Sequence, residues 1–227
     1  MSTDTNKQTA SPSSLRLVLT LAIAGLVSGI AIIGIYESTL PTITANKARE
    51  LREAVFKVLP GVSRMQALVY RDSELVVVEK PAKDEPVVYG GYDEQGGFVG
   101  YAMPAAGPGF QDTIAILYGY KPQEERVVGM EVLESRETPG LGDKIYKDAE
   151  FVGAFRALSI VPEIVAVKKG TKSAPNEIDA ITGATISSKA VVRIINEAHI
   201  AWSGKLPPPG SEPPIQETET TATEAGQ

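Results

Sequence analysis

Four hydroxyl side chains lie close together in the segment DAITGATISS, residues 179–188: Thr182, Thr185, Ser187 and Ser188. An apolar-periodic segment follows directly and predicts a helix that ends before Gly204. A helix N-terminus presents free N–H groups and the positive end of the helix dipole, so an anion can bind there. Gly183 allows close approach of a ligand to the backbone. Plain helix capping is the alternative, but one cap does not require four hydroxyls, or Asp179 three residues before Thr182.

A second candidate is the segment ESRETPGLGDKI, residues 134–145. Its central residues are Glu137, Thr138, Pro139, Gly140, Leu141 and Gly142. Two glycines and a proline after a strand make a rigid loop that can approach a ligand closely, although an ordinary turn has the same composition. A small basic run, Lys168, Lys169 and Lys172, precedes the hydroxyl segment. It is either a solvated turn or the source of a lysine that balances a phosphate.

The composition excludes several classes of function. The 227 residues carry a net charge of -6 and offer no basic stripe for nucleic acid. The absence of cysteine removes disulfides, thiolate zinc sites, iron–sulfur clusters and cysteine nucleophiles. The single histidine, His199, cannot supply a multi-histidine metal site. We therefore expect no metal site built on cysteines or on several histidines, and no cysteine nucleophile.

The elements that position these segments begin with an apolar run without charge, residues 17–36. Its length suits a helix that crosses the hydrocarbon core of about 30 Å. A cleaved signal peptide is the alternative, but its apolar region is usually about 7–15 residues and ends at small residues. We expect a retained transmembrane helix, with residues 1–16 in the cytoplasm. The positive charges on the two sides are nearly tied, so charge alone leaves the orientation open.

Residues 37–60 predict a membrane-proximal helix that ends at Pro60-Gly61. Its apolar face, within residues 44–59, is expected to pack against the domain. Strands are predicted at 75–79, 87–92, 98–104, 112–120, 126–135 and 164–170, and a short helix at 148–158. The apolar face of the last helix is expected to contain Ile186, Ala190, Val191, Ile194, Ile195, Ala198 and Trp202. Strands followed by helices predict an α+β fold with an antiparallel sheet over residues 61–205. The Pro/Glu/Thr-rich tail, residues 206–227, is expected to be disordered.

The pattern Asp-x-x-(Ser/Thr)-Gly-Ala-Thr resembles the flavinylation motif of the FMN-binding domain in the G subunit of Rnf-type electron-transport complexes. The C subunit of the Na⁺-translocating NADH:quinone reductase shares that domain. Asp179, Thr182, Gly183, Ala184 and Thr185 complete the pattern here. The ETPGLG loop is similar to a loop that the family fold places near the flavin, and GPGFQDTIAILYGYKP at 107–122 is a weaker match. The family often has a histidine two residues before the glutamate, where this chain has Ser135.

The resemblance implies covalent FMN, joined through a phosphodiester to the hydroxyl of Thr185 by a separate flavin transferase that uses FAD and Mg²⁺. It implies a membrane-anchored electron-transfer protein within a complex that couples ferredoxin–NAD electron transfer to ion translocation. The other subunits of that complex are then its partners. The domain is expected on the outer side of the bacterial inner membrane, where the transferase acts. The alternatives are a flavoprotein like the C subunit of the quinone reductase and a non-redox anchored binding module.

Overall fold

The computed structural model describes residues 13–82 and 84–216, and most of the N-terminal segment and the end of the tail lie outside them. The chain divides into two compact units, Met1–Arg49 and Glu50–Gln227. The first helix, α1, extends over Ser14–Val58 without interruption, although Pro41 lies within it. The helices predicted at 17–36 and 37–60 are therefore one helix. Among the described residues, α1 is the one helix long and apolar enough to cross a membrane.

The second unit is built on a seven-stranded sheet, and the sequence predicts five of its strands. Its strands are β1 (Arg64–Arg71), β2 (Glu74–Val78), β3 (Val87–Tyr92), β4 (Phe98–Pro108), β5 (Thr113–Lys121), β6 (Arg126–Ser135) and β7 (Leu158–Ser159). The spatial order is β2-β1-β3-β4-β5-β6-β7, and every neighbouring pair is antiparallel. The prediction of an α+β fold with an antiparallel sheet is confirmed. Strand β1 escaped prediction because RMQALVYR lacks the β-branched run of the others.

Short elements follow the sheet: α2 (Lys144–Lys147), α3 (Ala149–Ala154), β8 (Val165–Val167) and β9 (Glu177–Asp179). Asp148 caps α3, since its Oδ1 accepts from the N–H groups of Glu150 and Phe151 at 3.0 and 3.1 Å. The two short strands pair in parallel. The long helix α4 (Thr185–Ser203) comes last.

Both faces of the middle of the large sheet are buried, which explains why consecutive residues are buried in β4 (Gly100–Met103) and β5 (Ile116–Tyr120). One core lies beneath α4 and includes Tyr101, Met103, Ile116 and Tyr118 of the sheet with Val191, Ile194 and Ile195 of the helix. Gly107 allows α4 to lie close to β4, because a Cβ at Gly107 would be 2.8 Å from Cγ1 of Ile194. The expected face of α4 is correct except at Ile186, whose side chain is 59% exposed.

The opposite face receives the last turns of α1, where Ala54, Val55, Val58 and Leu59 are buried. Four glycines on adjacent strands make room for the Val58-Leu59 segment: Gly91, Gly100, Gly119 and Gly129. A Cβ at Gly129 would lie 2.7 Å from both Cα and the carbonyl oxygen of Val58. Since these are backbone atoms, they cannot rotate away. We call these four residues the glycine seat.

The structure differs from the expected disorder over residues 206–216. This segment has no helix or strand, but it contacts the edge of the domain. Tyr92 donates its hydroxyl to the carbonyl of Pro213, and Gln66 Nε2 donates to the carbonyl of Pro214 at 3.0 Å. Gln66 Oε1 in turn accepts from the N–H of Gln216 at 2.9 Å. The low hydrophobicity of the tail did not predict these contacts because they are hydrogen bonds to strand side chains.

We predict that Gly129→Ala destabilises the domain by about 1–3 kcal/mol, because the new methyl group would overlap the backbone of Val58. Thermal and urea unfolding of the full chain in detergent, followed by circular dichroism, measures this loss. The control is Gly153→Ala in α3, where a Cβ meets no atom within 4 Å. That variant should be neutral or stabilise by up to about 1 kcal/mol. Equal stabilities of the two variants would contradict the role of the seat.

Candidate functional site

The candidate site lies at the N-terminus of α4, where Thr185 is the first helical residue. Ala184 occupies the N-cap position, and no side chain of the described residues accepts a hydrogen bond as a cap. Among the residues that the structure describes, no atom accepts a hydrogen bond from the N–H groups of Thr185, Ile186 and Ser187. Gly183 adopts φ +84°, a conformation that favours glycine, in the turn that leads into the helix. The helix therefore presents free N–H groups beside an exposed threonine, as the anion-site hypothesis requires.

The four hydroxyls have different surroundings. Ser188 is buried and holds the turn, because its Oγ accepts from the N–H of Ile181 at 3.1 Å and donates to the carbonyl of Ala184 at 2.9 Å. Ser187 is also buried and donates to Glu137 Oε2. Thr182 and Thr185 are exposed. The hydroxyl of Thr185 donates a bond of 3.4 Å to the carbonyl of Ile181.

Glu137 is the centre of the hydrogen bonds that surround this helix start. Its side chain is only 5% exposed. Besides the Ser187 hydroxyl, it accepts at Oε1 from the N–H groups of Phe110 and Gln111, each at 2.9 Å. Burial on its own would raise the pKa of Glu137, but the hydrogen bonds from Ser187, Gln111 and Phe110 outweigh it and hold the pKa below its ordinary value. The carboxylate therefore stays ionised and joins three segments of the chain.

Two glycines make this buried carboxylate possible. A Cβ at Gly142 would lie 2.6 Å from Oε2 of Glu137 and 3.0 Å from Oγ of Ser187. A Cβ at Gly109 would lie 2.5 Å from Oε1 of the same carboxylate. Both positions therefore need glycine because any larger residue would displace the Glu137 side chain. This is the physical reason for a glycine in each of the two loops.

The rest of the ETPGLG loop folds as a tight turn. The carbonyl of Thr138 accepts from the N–H groups of Leu141 and Asp143, and its hydroxyl donates to Gln111 Oε1 at 2.8 Å. Pro139 and Gly140 lie at the tip of the turn, and Gly140 adopts φ +79°. The Leu141 side chain is 51% exposed, and its Cδ2 lies 4.0 Å from the position of a Cβ on Gly183. The structure thus brings the two predicted segments together.

A positively charged side chain also lies near the helix start, but it does not belong to the predicted basic run. Nζ of Lys144 is 3.9 Å from the position that a Cβ would take on Gly183. Lys169 forms an ion pair with Glu150 at 3.0 Å. Asp179 supports the neighbouring turn, because its Oδ1 accepts from the N–H of Gly170 at 2.9 Å. Lys144 therefore brings a positive charge beside Gly183, in the turn before Thr185.

Sequence reasoning missed Ser187, Gly109 and Lys144 as parts of the site. Gly109 and Lys144 lie within the quoted motifs, yet nothing in the motifs shows that they approach Glu137 or Gly183. Ser187 is 50 residues from Glu137, and only the tertiary fold brings the two side chains together.

Three other residues singled out by the sequence have supporting roles. Ser135, which stands where the family often has histidine, accepts a hydrogen bond from the N–H of Glu137 at 3.3 Å. His199 packs edge-to-face on Tyr120, and Trp202 is buried in the core. Both of these aromatic side chains therefore contribute to packing.

Residues 109–199 match the family model of the FMN-binding domain. This range contains the Glu137 carboxylate, the ETPGLG loop and the start of α4. The fold and the site therefore define this protein as a member of the class with an FMN-binding domain.

Sequence relatives identify the family within that class. The G subunit of the ion-translocating oxidoreductase complex from Haemophilus influenzae is 31% identical over 188 residues, which cover 78% of this chain and 84% of that protein. The G subunit of the proton-translocating ferredoxin:NAD(+) oxidoreductase complex from Clostridium ljungdahlii is 30% identical over 183 residues, 78% of this chain and 85% of that protein. The chain belongs to the G-subunit family of ion-translocating oxidoreductase complexes.

Two solved structures share the fold. The crystal structure of Shewanella oneidensis NqrC superposes with a TM-score of 0.55 at 19% identity, covering 67% of this chain and 91% of that chain. The C subunit of the Na(+)-translocating NADH-quinone reductase from Parabacteroides distasonis gives a TM-score of 0.50 at 21% identity, covering 63% and 77%. At these identities the likeness concerns the fold of the domain.

We predict that Ser187→Ala destabilises the domain by about 1.5–3 kcal/mol, because it removes a hydrogen bond to a buried carboxylate. The control is Thr182→Ala, which removes an exposed hydroxyl from the same segment and should change stability by about 0.5 kcal/mol or less. Urea unfolding at neutral pH measures both.

The comparison of wild type with Ser187→Ala also predicts a pH dependence of stability. A lowered folded pKa means that Glu137 stabilises the domain above its unfolded pKa of about 4.3 and loses this contribution as pH falls through the folded value. The stability difference between wild type and Ser187→Ala should therefore be largest near neutral pH and shrink below about pH 4. A difference that stays constant across this range would show that the carboxylate is not the partner that matters.

Proposed function

We propose that this chain carries FMN in a phosphodiester bond to Oγ1 of Thr185 and transfers electrons as a membrane-anchored subunit of an ion-translocating complex. The observation that carries the proposal is the exposed hydroxyl of Thr185 at a helix start whose N–H groups are free among the described residues. When bound, FMN supplies the redox chemistry, and the protein supplies attachment, orientation and charge. The chain itself then needs no acid–base or nucleophilic side chain.

The residues at the helix start fit the phosphate of FMN. The N–H groups of Thr185, Ile186 and Ser187 can donate to phosphate oxygens, and the dipole of the 19-residue helix favours negative charge at this end. The ammonium group of Lys144 lies beside Gly183 and adds a positive charge. Gly183 has no side chain to block the approach. These features support a phosphodiester at Thr185 and do not require the serines, which are already engaged in the fold.

The surroundings of Thr185 also support the need for a separate flavin transferase. Within the part of the chain that the structure describes, its hydroxyl bonds to a carbonyl oxygen, which cannot take up the proton. With FAD as donor, the Oγ1–phosphorus bond forms, the pyrophosphate bond of FAD breaks, and AMP leaves. The hydroxyl proton passes to a base of the transferase. Asp179, Thr182, Gly183 and Ala184 are the proposed recognition residues of that enzyme, as the family pattern implies.

The relatives favour a place in a ferredoxin–NAD complex. The protein of this family from Acetobacterium woodii is named as the G subunit of a Na(+)-translocating ferredoxin:NAD(+) oxidoreductase complex. It is 36% identical over 149 residues, 62% of this chain and 68% of that protein. We infer that the present chain works with the other subunits of such a complex. Helix α1 would anchor it in the inner membrane. The domain would lie outside the cytoplasm, where covalent attachment prevents the loss of a cofactor that is hard to replace.

We predict that Thr185→Val abolishes covalent flavin when the full chain is produced together with its flavin transferase. Valine keeps the shape of threonine but lacks the hydroxyl, so the fold should remain. In-gel fluorescence of the denatured protein and its intact mass measure the attachment. The control is Thr182→Ser, which keeps the hydroxyl that the family pattern allows at that position. Fluorescence that persists in Thr185→Val would move the attachment to Thr182 or a serine, and a colourless wild type would contradict the proposal.

A second prediction concerns the charge beside the helix start. Lys144→Gln should slow flavin attachment by about fivefold, which corresponds to roughly 1 kcal/mol for one partly exposed charge. The control is Lys168→Gln, since Lys168 is exposed in the predicted basic run and its carbonyl, not its side chain, accepts from Thr171. A time course of in-gel fluorescence compares the two variants. If Lys168→Gln is the slower of the two, the phosphate is balanced by the basic run and not by Lys144.

A further inference from the structure

The segment 206–216, LPPPGSEPPIQ, follows the end of helix α4 and contains five prolines in eleven residues. It lies outside the residues that match the FMN-binding family model, and it forms no helix or strand. A turn in its middle is closed by a bond from the N–H of Ser211 to the carbonyl of Pro208 at 3.0 Å. We call this segment the strap. Its prolines restrict the backbone before it docks, so docking costs little conformational entropy.

The domain contacts the strap through the carbonyl groups of two consecutive prolines. The Tyr92 hydroxyl donates to the carbonyl of Pro213, and Gln66 Nε2 donates to the carbonyl of Pro214 at 3.0 Å. Gln66 Nε2 also donates to the Tyr92 hydroxyl at 2.6 Å, which sets the direction of that hydroxyl. Gly90 makes this arrangement possible, because a Cβ there would lie 2.9 Å from the Tyr92 hydroxyl oxygen. Proline has no N–H, so these carbonyls are the polar atoms by which a proline pair is bound.

Three aromatic rings form a row beside the strap: Tyr92, Phe98 and Tyr101. The ring centroids of Tyr92 and Phe98 are 5.7 Å apart, and those of Phe98 and Tyr101 are 4.7 Å apart. Burial, and after it the nearby carboxylate of Glu212, raises the pKa of Tyr101. The strap residues Glu212 and Pro213 therefore adjoin the two ends of the row. Aromatic-lined grooves of this kind are the surfaces on which proteins bind proline-rich peptides.

The docked strap leaves one buried polar group unsatisfied. The hydroxyl of Tyr101 is buried and, within residues 13–82 and 84–216, has no hydrogen-bond partner. Such burial is unfavourable, and water that enters when Glu212 moves away would remove the cost. The strap therefore gains less free energy from docking than its hydrogen bonds alone would supply. Since the strap is not a strand of the sheet, its release leaves every strand pair intact.

We propose that the aromatic row, together with Gln66, is a binding site for proline-rich peptides that the strap of the same chain occupies. The strap binds and is released as a unit while the domain stays folded. A short tether holds a ligand at an effective concentration on the order of millimolar, so the strap outcompetes peptides that are present at lower concentrations. The inference goes beyond the proposed function, because it involves neither Thr185 nor the flavin.

The first test measures release of the strap in the full chain, purified in detergent. Because the chain contains no cysteine, Ile215→Cys supplies a single thiol. Ile215 is half-buried, and its Cγ2 lies 3.5 Å from the position of a Cβ on Gly96. Docking should therefore protect the thiol from a maleimide reagent, and release should expose it. Intact mass recorded over time gives the labelling rate.

A matched pair of changes in this chain assigns the protection to the proposed site. Gln66→Ala removes two hydrogen bonds to the strap, those with Pro214 and Gln216, and should accelerate labelling by about five- to a hundredfold. The control, Gln95→Ala, changes the same residue type in the exposed turn beside Gly96, where the backbone N–H makes the bond, and should leave the rate unchanged. Equal rates in the two variants would overturn the inference. Circular dichroism at the labelling temperature verifies the fold of each variant.

A competition experiment requires no change in the folded domain. A synthetic peptide of residues 206–216 at a concentration of several millimolar should at least double the labelling rate of the Ile215→Cys chain, because it competes with the strap for the site. A control peptide with Pro213→Ala and Pro214→Ala should accelerate labelling less, since alanine does not hold the backbone extended. A rate that neither peptide changes, or that both change equally, would contradict a site specific for proline. A dimer in light scattering whose labelling accelerates on dilution would place the strap on a second copy and overturn binding within one chain.

Discussion

The buried carboxylate of Glu137 is the interaction on which the candidate site depends. It accepts hydrogen bonds from the turn between β4 and β5 and from α4, while its own backbone begins the ETPGLG loop. An ionised group can remain buried only if hydrogen bonds replace its hydration. The requirement therefore works in both directions: the three segments keep Glu137 charged, and Glu137 keeps the three segments together. Glu137 therefore has a structural role at the site, since both of its carboxylate oxygens already accept hydrogen bonds from the protein.

The start of α4 follows from this arrangement. Ser187 is held by Glu137 and Ser188 by the turn at residues 181–184, so the orientation of the first helical turn is set by side chains that point into the protein. Among the described residues, side-chain capping, the usual way to satisfy a helix start, is absent at Ala184. The first N–H groups remain available to a ligand, while the two serines carry the structural role. This division explains why one short segment contains several hydroxyls.

Much of the fold could be predicted because its signals are local. The apolar run at 17–36 and the β-branched runs that became β3 to β6 are periodic patterns within single elements. The motifs located Thr185 and Glu137. They did not show that Thr185 is exposed at the site while Glu137 is a buried carboxylate that supports it. Glu137 meets Ser187 across 50 residues, and Lys144 meets Gly183 across a comparable interval. Such contacts depend on how the loops pack, and the exposed Ile186 shows that even the face of a helix shifts with that packing.

The glycine seat has a consequence for where the domain begins. Ala54, Val55, Val58 and Leu59 belong to the buried core of the sheet, although they continue the helix that starts at Ser14. The anchor and the domain thus share one element, and the boundary between them lies inside a helix, at residues 49 and 50. A water-soluble fragment must keep this helical end, because a chain that starts at β1 would expose Ala102, Leu117 and Val128 on this face of the sheet. Removing the anchor is therefore compatible with folding when the cut is made before Leu51, the first helical residue that packs against this core.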